Sequence, residues 1–300
     1  MKRLFDPNNG HLTVWVWMYD PEKRIHRYDR SECPSKARAT PLHYAAVCGL
    51  HDIAKFLIVE RSQDVSARGF DHNETPLGVA SRLGHSEVAR ALLEHGADTE
   101  TRANSVTDWS PLERASAGGH MEVVQVLLER GADVKARDMC DNTPLFVAAE
   151  YGQLAVARML LEHDADPNVK GEDNRTPLHR AKNEGVARVL LEFGADPNAQ
   201  DSKNRTPLHE ALVYERTEVA RVLLENGADA NTRDSENRTP LHTASEKRHS
   251  DVIRLLLQRC SDIHAQDDEG RTPFQVASAK GYHDVMQLLL EHRAMDHRTR

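Results

Sequence analysis

Four histidines stand at the same place in a recurring phrase, and imidazole serves proteins both as a metal ligand and as a general base. The phrase is Thr-Pro-Leu-His, and its histidines are His43, His179, His209 and His242. Histidines that recur once per structural unit lie on successive layers of a fold rather than around one point. We therefore interpret them as structural residues, each bonding local backbone and a neighbouring unit.

Patterns that carry catalysis are missing from the sequence. His209-Glu210 begins like the zinc-protease pattern H-E-x-x-H, but Val213 occupies the position of the second histidine. No G-x-S-x-G motif, glycine-rich phosphate loop or EF-hand spacing occurs. We expect no catalytic, cofactor-binding or metal-binding site, and an enzyme is kept only as the remote alternative.

The cysteines offer no reactive pattern either. They are scattered without C-x-x-C spacing, which is typical of a reducing compartment, at Cys33, Cys48, Cys140 and Cys260. We interpret Cys48 and Cys140 as buried or half-buried thiols with no chemical role.

The elements that must position all these residues follow a regular period. Thr-Pro, or Ser-Pro once, begins at residues 40, 75, 110, 143, 176, 206, 239 and 272. Threonine or serine can cap a helix, proline suits the first helical position, and leucine begins a buried stripe. Each phrase therefore predicts the start of a short helix.

A second helix is predicted in the latter half of each unit. The segments 87–98, 122–133 and 218–229 read EVARALLEHGAD, EVVQVLLERGAD and EVARVLLENGAD, with apolar residues on one helical face. Glycine follows this helix, where a left-handed residue closes it, at Gly96, Gly131, Gly194 and Gly227. Two residues before the phrase, a tight turn with positive φ is predicted at Asn73, Asp108, Asp141, Asn174, Asn204, Asn237 and Gly270.

A period near 33 residues built on Thr-Pro-Leu-His resembles the ankyrin repeat, over roughly residues 36–300. The resemblance implies an all-α ankyrin-repeat solenoid of eight repeats, each with helix, turn, helix and a finger ending in a β-turn. It also implies a non-catalytic scaffold that binds a protein partner in the concave groove of the array.

Composition limits the classes of partner. The 300 residues carry a net charge of −8, with 29% charged and 5% aromatic residues. An acidic balance argues against nucleic acid as the partner, and no apolar run is long enough to cross a membrane. The sequence shows no signal peptide. We expect a soluble, monomeric intracellular protein, in the cytoplasm or the nucleus.

Residues 1–35 lie outside the repeats. Residues 11–19 read HLTVWVWMY and fit either a helix or a strand. We favour a capping helix that covers the first repeat, because terminal repeats need a cover, over an exposed adhesive segment. Residues 20–35 are polar and bounded by prolines, so we interpret them as a linker.

This entry segment also has a narrower resemblance. Residues 4–20 (LFDPNNGHLTVWVWMYD) and 40–58 (TPLHYAAVCGLHDIAKFLI) are similar to the junction before the ankyrin array of fungal NACHT-type receptor proteins. The resemblance implies an alternative function as the partner-sensing C-terminal part of such a receptor. The nucleotide-binding loop G-x-x-x-x-G-K-[ST] of that family is absent from the sequence.

Three departures from the repeat are informative. The repeat at Thr176 is three residues short, and we expect the loss to fall after Gly185, where the second helix would open. Asp164, Cys260 and Arg293 occupy the glycine position after the second helix, where we expect local strain. The last helix is predicted over residues 284–292.

The resemblance also implies which residues would line the groove. Matched by their offset from Thr-Pro, the candidates for partner binding are Arg82, Leu83, Trp109, Met139, Glu150, Tyr151, Arg205, Tyr214 and Lys247. Trp109, at the end of a longer finger, and the two tyrosines are notable because Trp, Tyr and Arg often carry interface energy. The other interpretation of the tyrosines is that they pack between helices.

An arginine ladder offers a second binding hypothesis. Arginine directly precedes the phrase at Arg175, Arg205, Arg238 and Arg271. These guanidiniums could clamp an acidic peptide, but acidic neighbours would neutralise them. We favour a structural role in the scaffold.

The capping interpretation of the N-terminal segment predicts where a truncation acts. Deleting residues 1–30 should speed amide hydrogen exchange in the first repeats more than in the last, because each repeat contacts only its neighbours. Exchange measured peptide by peptide in the full and truncated chains checks this. Equal protection along both chains would contradict it.

Overall fold

The structure is a computed structural model that describes residues 39–69, 73–103, 108–259 and 261–296. In those ranges the chain forms pairs of short α-helices joined by tight turns, with no strand and one isolated bridge between Gly69 and Glu74. The proposed capping helix at residues 11–19 falls outside the described residues. No helix among the described residues is long and apolar enough to cross a membrane.

Each repeat contributes a first and a second helix, and the repeats are numbered 1–8 from the phrase at Thr40 to that at Thr272. The first helices are α1 (Pro41–Val47), α3 (Pro76–Leu83), α5 (Pro111–Gly118), α7 (Pro144–Tyr151), α9 (Pro177–Arg180), α11 (Pro207–Val213), α13 (Pro240–Lys247) and α15 (Pro273–Lys280). The second helices are α2 (His51–Val59), α4 (Ser86–Glu94), α6 (Met121–Glu129), α8 (Leu154–Glu162), α10 (Glu184–Glu192), α12 (Thr217–Glu225), α14 (Ser250–Gln258) and α16 (His283–Asp296).

The described residues group into two compact units. One comprises residues up to 115 with 122–132, and the other comprises residues 116–121 with the chain from 133 onward. In the first unit α1 packs on α3 and α2 on α4. In the second, the first helices α7, α9, α11, α13 and α15 form one layer, and the second helices α8, α10, α12, α14 and α16 form another. The core between layers is leucine, valine and alanine, with fully buried Leu160, Leu190 and Leu223 among them.

The helix starts follow the predicted capping chemistry. Thr75 accepts a hydrogen bond from the backbone N–H of Gly78 at 3.2 Å, and proline fills the first helical position. In repeat 8 the chain uses a glutamine instead of the histidine, and the Gln275 side chain accepts from the Thr272 N–H at 2.8 Å. The phrase therefore sets the helix start in each of these repeats.

The predicted turns and helix ends that the structure describes are confirmed, except at the end of α16. All seven turn residues have positive φ, from 48° at Asp108 to 71° at Gly270. Gly96, Gly131, Gly194 and Gly227 have φ between 82° and 87°, and Asp164 takes the same left-handed conformation at 64°. Cys260 lies outside the described residues. Arg293 was predicted wrongly, because α16 runs on through it to Asp296.

An aspartate that the sequence analysis missed closes four of the fingers. It stands five residues before the phrase, at Asp138, Asp201, Asp234 and Asp267. At Asp201 the carboxylate accepts from the backbone N–H groups of Lys203 and Arg205 at 2.8 and 2.9 Å. Burial alone would raise the pKa of Asp201, but these hydrogen bonds and the Arg205 guanidinium outweigh it and lower the pKa. The signal for this role was the fixed spacing from Thr-Pro.

The missing residues of repeat 5 are taken from its first helix, so the predicted location was wrong. The second helix α10 keeps nine residues and contains Gly185, whereas α9 has only four. Asn183 makes this possible because its side chain accepts from the Val186 N–H at 3.0 Å and starts α10 early. This cap stabilises the start of α10, and α9 is consequently shorter by one turn.

The four histidines connect successive repeats, which confirms their structural interpretation. In repeat 5, His179 Nδ1 accepts from the Thr176 N–H at 3.1 Å, and Nε2 donates to the Arg205 carbonyl of repeat 6 at 3.0 Å. His43, His209 and His242 make the same two contacts. Because Nδ1 accepts one hydrogen bond and Nε2 donates the other, both contacts require the neutral form of the imidazole.

Protonation of these rings opposes folding. Burial lowers the pKa of His179 from 6.5 to about 4, and it lowers the pKa of His43, His209 and His242 as well. Between these two pH values the unfolded chain binds a proton that the folded chain does not. The free energy of unfolding therefore falls as the pH falls through this window.

Replacing His179 with Gln should remove part of this pH dependence. Gln275 shows that glutamine can cap the helix, but it does not titrate. We expect His179→Gln to cost about 1 kcal/mol at pH 7 through the lost Arg205 bond. Between pH 7 and pH 4 the parent should lose about 3 kcal/mol more than the variant. Urea unfolding at several pH values measures both, and exposed His163→Gln is the control. Parallel pH profiles for the parent and His179→Gln would contradict this role.

Candidate protein-binding face

The nine residues proposed for partner binding differ in how far they reach solvent. Arg82, Met139, Tyr151, Tyr214 and Lys247 are exposed, while Leu83, Trp109, Glu150 and Arg205 are half-buried. In the first unit the structure describes Arg82, Leu83 and Trp109. The other six belong to the second unit, at the ends of first helices and in the finger turns.

In the first unit a buried carboxylate organises the charged residues. Glu74 is 5% exposed and pairs with Arg114 at 3.0 Å and with Arg82 at 3.4 Å. The Nε of Arg114 also donates to the backbone carbonyl of Trp109 at 3.2 Å. Burial lowers the pKa of Arg114, and the charge of Glu74 partly offsets this. Arg82 is therefore tied to the scaffold through Glu74, which the sequence analysis did not identify.

The arginine ladder is engaged inside the second unit, as its structural interpretation predicts. Arg205 pairs at 2.7 Å with both Asp201 and Glu210, two carboxylates whose side chains are fully buried. Arg175 lies 3.8 Å from Asp201 and 3.7 Å from Glu210. Two cations and two anions thus neutralise one another in the interior.

The last two members of the ladder have partners too. Arg238 donates to Glu246, and Arg271 pairs with Asp267 at 2.9 Å and with Glu269 at 2.8 Å. The ladder is therefore part of the finger and helix framework.

The apolar candidates of the second unit lie open to solvent. Met139 is 73% exposed in the turn before repeat 4. Tyr151 is 45% and Tyr214 is 49% exposed, and each lies at the C-terminal end of a first helix. Neither tyrosine is fully buried between helices, and about half of each side chain is exposed to solvent.

In four repeats the side chain ten residues after the start of the phrase links the repeat to the one before it. Each donates to a backbone carbonyl near the end of the preceding first helix: His85 to Val47 at 3.1 Å, Gln153 to Ala117 at 2.9 Å and His249 to Leu212 at 3.0 Å. In repeat 6 this position holds Arg216, which reaches Ala181 at 3.2 Å. The longest of these side chains thus spans the place where α9 is cut short.

Arg216 brings a second guanidinium close to Arg180. Burial lowers the pKa of Arg216, and the positive charge of Arg180 lowers it further. The guanidinium carbon of Arg216 also lies 5.1 Å from the centre of the Tyr214 ring, within the range of a cation–π contact. The sequence analysis missed both arginines, although the shortened repeat and an arginine at a position held elsewhere by His or Gln were visible signals.

The cysteine prediction is corrected by the structure. Cys48 and Cys140 are exposed free thiols rather than buried ones. Burial of the sulfur nevertheless raises the pKa of both, and at Cys140 the charge of Asp138 adds to this. Both thiols are therefore mostly protonated at neutral pH, which disfavours nucleophilic chemistry. Among the described residues no group of three or more His, Cys, Asp or Glu side chains is placed to hold a metal ion.

Comparison with known proteins agrees with the helix pairs and turns described above. A family model described as "Ankyrin repeats (3 copies)" matches residues 8–103, 67–138, 101–171, 164–234 and 227–300. The crystal structure of the human ASB11 ankyrin repeat domain is similar, with 28% sequence identity and a TM-score of 0.66, over 74% of this chain and 98% of that one. No curated protein matches the chain. The chain belongs to the ankyrin-repeat family.

Proposed function

We propose that the chain is a non-catalytic scaffold that binds a protein partner through the first-helix ends and finger turns of its second unit. Ankyrin repeats generally mediate protein–protein interaction and are typically non-catalytic. We call the surface around Met139, Tyr151 and Tyr214 the binding face. We propose that it corresponds to the concave groove that ankyrin proteins use.

One observation carries this proposal: large apolar side chains are exposed on this face, in a chain that has few aromatic residues. Tyrosine can supply contact area and a hydrogen bond in an interface at low cost in side-chain entropy. The charged residues nearby are largely committed to internal ion pairs, as at Arg205 and Arg238. We therefore expect partner specificity to depend on the exposed residues Met139, Tyr151 and Tyr214, which do not form these internal ion pairs.

The same reasoning defines the class of partner. The net charge of −8 favours a protein over nucleic acid, and we propose that the scaffold acts as a monomer inside the cell, in the cytoplasm or nucleus. The partner-sensing part of a fungal NACHT-type receptor remains a second candidate, supported by residues 4–20 and 40–58. The two candidates share the binding face and differ in whether a nucleotide-binding domain is encoded upstream.

Truncating the binding face should abolish partner capture. We expect the Met139→Ala, Tyr151→Ala, Tyr214→Ala variant to capture at least about tenfold less partner from source lysate than the parent does. Truncating a hot-spot side chain weakens the binding free energy by about 2 kcal/mol or more. Quantitative mass spectrometry of the captured proteins measures this. All three positions are exposed, so the melting temperature should stay at the parent value.

A matched control removes exposed apolar side chains elsewhere. Val59, Leu154 and Phe193 are 52%, 43% and 36% exposed and lie in or directly after second helices. Their triple alanine variant should capture the partner like the parent. Loss of capture in this control alone would overturn the proposed face.

A further inference from the structure

The shortened repeat leaves a gap in the binding face. Helix α9 packs between α7 and α11, but it has four residues where they have eight and seven. The residues that end the first helix in repeats 4 and 6 include Tyr151 and Tyr214. Repeat 5 has no counterpart to them, and we call this break in the row of first-helix ends the gap. Lys182 and Asn183 cross it, bonding the Ala149 and Gly152 carbonyls at 3.2 and 3.0 Å.

Arg216 lies beside this gap. Its guanidinium crosses to the Ala181 carbonyl at 3.2 Å and uses one N–H of five for that bond. The rest of the group lies against the Tyr214 ring. Within the described residues Arg216 has no ion pair with an acidic residue, although the charges of Glu210 and Glu150, from farther away, partly offset the lowering of its pKa by burial. Donors of Arg216 are therefore left over for a ligand.

Arg180, the last residue of α9, is held loosely. Its nearest carboxylate oxygens belong to Glu172 at 3.7 Å and Glu150 at 3.8 Å, both too far for a hydrogen bond. Its buried Nε has no hydrogen-bond partner in the described part of the chain. By contrast, Arg205 is bound at 2.7 Å to both of its carboxylates. Arg180 thus has donors that the fold itself does not satisfy.

The charged residues around the gap are of both signs, but among the residues that the structure describes Arg180 and Arg216 have no carboxylate at hydrogen-bond distance. Arg175 and Arg205 are balanced by Asp201 and Glu210 in the buried network below. The remaining charged residues near the gap are Arg180, Lys182 and Arg216, with Glu150, Glu172, Glu184 and Glu215. The four glutamates are half to fully exposed and none lies within hydrogen-bond distance of either arginine. The charge of Arg180 acts unfavourably on Arg216, and Glu150, 3.8 Å from Arg180, offsets only part of this repulsion.

We propose that this gap binds an aspartate or glutamate side chain of the partner protein, held by Arg180 and Arg216, while Tyr151 and Tyr214 contact an adjacent apolar residue. The inference rests on the proposed function, because it names the chemical class of partner that the binding face selects. A carboxylate fits the paired donors of guanidinium groups at about 2.7–2.9 Å. The incoming carboxylate displaces the looser contacts that Glu150 and Glu172 make with Arg180.

The test starts from a random library of 12-residue peptides selected on phage against the full chain. Enriched peptides should carry Asp or Glu at one fixed position beside an apolar or aromatic residue. A synthetic peptide with the enriched sequence is then compared with its Asn or Gln analogue by fluorescence anisotropy. The acidic peptide should bind at least about tenfold tighter, and less tightly as salt is raised.

Two substitutions should act in opposite directions. Arg180→Gln should erase the difference between the acidic peptide and its amide analogue. Glu150→Gln should tighten the acidic peptide, because it removes a carboxylate that competes for Arg180. The control Arg158→Gln makes the same charge change at an exposed pair with Glu192 and should leave both peptides unchanged. Melting temperatures verify that each variant is folded.

The outcomes separate this inference from the proposed function. Three outcomes would each overturn the acidic site: the selection enriches nothing, the enriched peptides have no fixed acidic position, or the preference for the acidic peptide survives Arg180→Gln. Peptides that lose binding to the Met139, Tyr151 and Tyr214 triple variant but not to Arg180→Gln would support the face and overturn only the acidic site. Peptides that bind the triple variant as well as the parent would count against the face itself.

Discussion

The hydrogen bond from one repeat's histidine to the next repeat's backbone is the interaction on which the rest of the structure depends. In repeat 5, His179 caps its own helix through Nδ1 and holds the Arg205 carbonyl through Nε2. That carbonyl belongs to the residue where the next finger meets the next helix. One neutral ring therefore sets the spacing between layers and the position of the finger that carries surface residues. Because the ring lies in the interior, its loss would leave a buried carbonyl unsatisfied.

The remaining contacts between repeats follow the same logic with other side chains. The second helices of repeats 1–7 are each followed by an Asx turn. Asn168 and Asn198 in these turns bond the next turn along the chain. The linking side chains, from His85 to His249, hold the carbonyls that end the first helices. Neighbouring repeats are thus connected by some combination of contacts at the helix start, the helix end and the turn after the second helix. Stability in such an array is a sum of neighbouring contacts, so one altered layer is tolerated if its neighbours compensate.

Repeat 5 is that altered layer, and it connects the scaffold to function. The early start of α10 at the Asn183 cap preserves the second-helix layer and shortens only α9. Arg216 restores the missing link, and this brings its charge next to Arg180. The shortened α9 thus leaves stacking intact and places Arg180 and Arg216 among the first-helix ends that carry Tyr151 and Tyr214, where we propose the acidic site. The feature that distinguishes this array from a uniform one lies on the face proposed for the partner.

Much of the fold could be predicted from the sequence because it is set by local chemistry. Thr-Pro fixes helix starts, and Asn, Asp or Gly fixes the left-handed turns, as at Asn204 with φ 55°. Side-chain pairing could not be predicted, because it depends on reach across layers: Glu74 and Arg114 pair although 40 positions separate them in the sequence. The place of the deletion was also misjudged, since Gly185 suggested a turn while the Asn183 cap made it helical. Arg293 shows the same limit, because a helix with no described repeat beyond it need not stop at the usual glycine position.

Site-specific photo-crosslinking tests the central claim most directly, namely that the partner binds across the first-helix face of the second unit. The photoreactive residue p-benzoylphenylalanine replaces one aromatic at a time, at Tyr151, Tyr214 or Phe193, and its added benzoyl group is accommodated because all three positions are exposed. Phe193 follows α10 in the second-helix layer and serves as the control. The account predicts that one partner is crosslinked from positions 151 and 214 and not from 193. Crosslinking from 193 alone, or equally from all three positions, would contradict it.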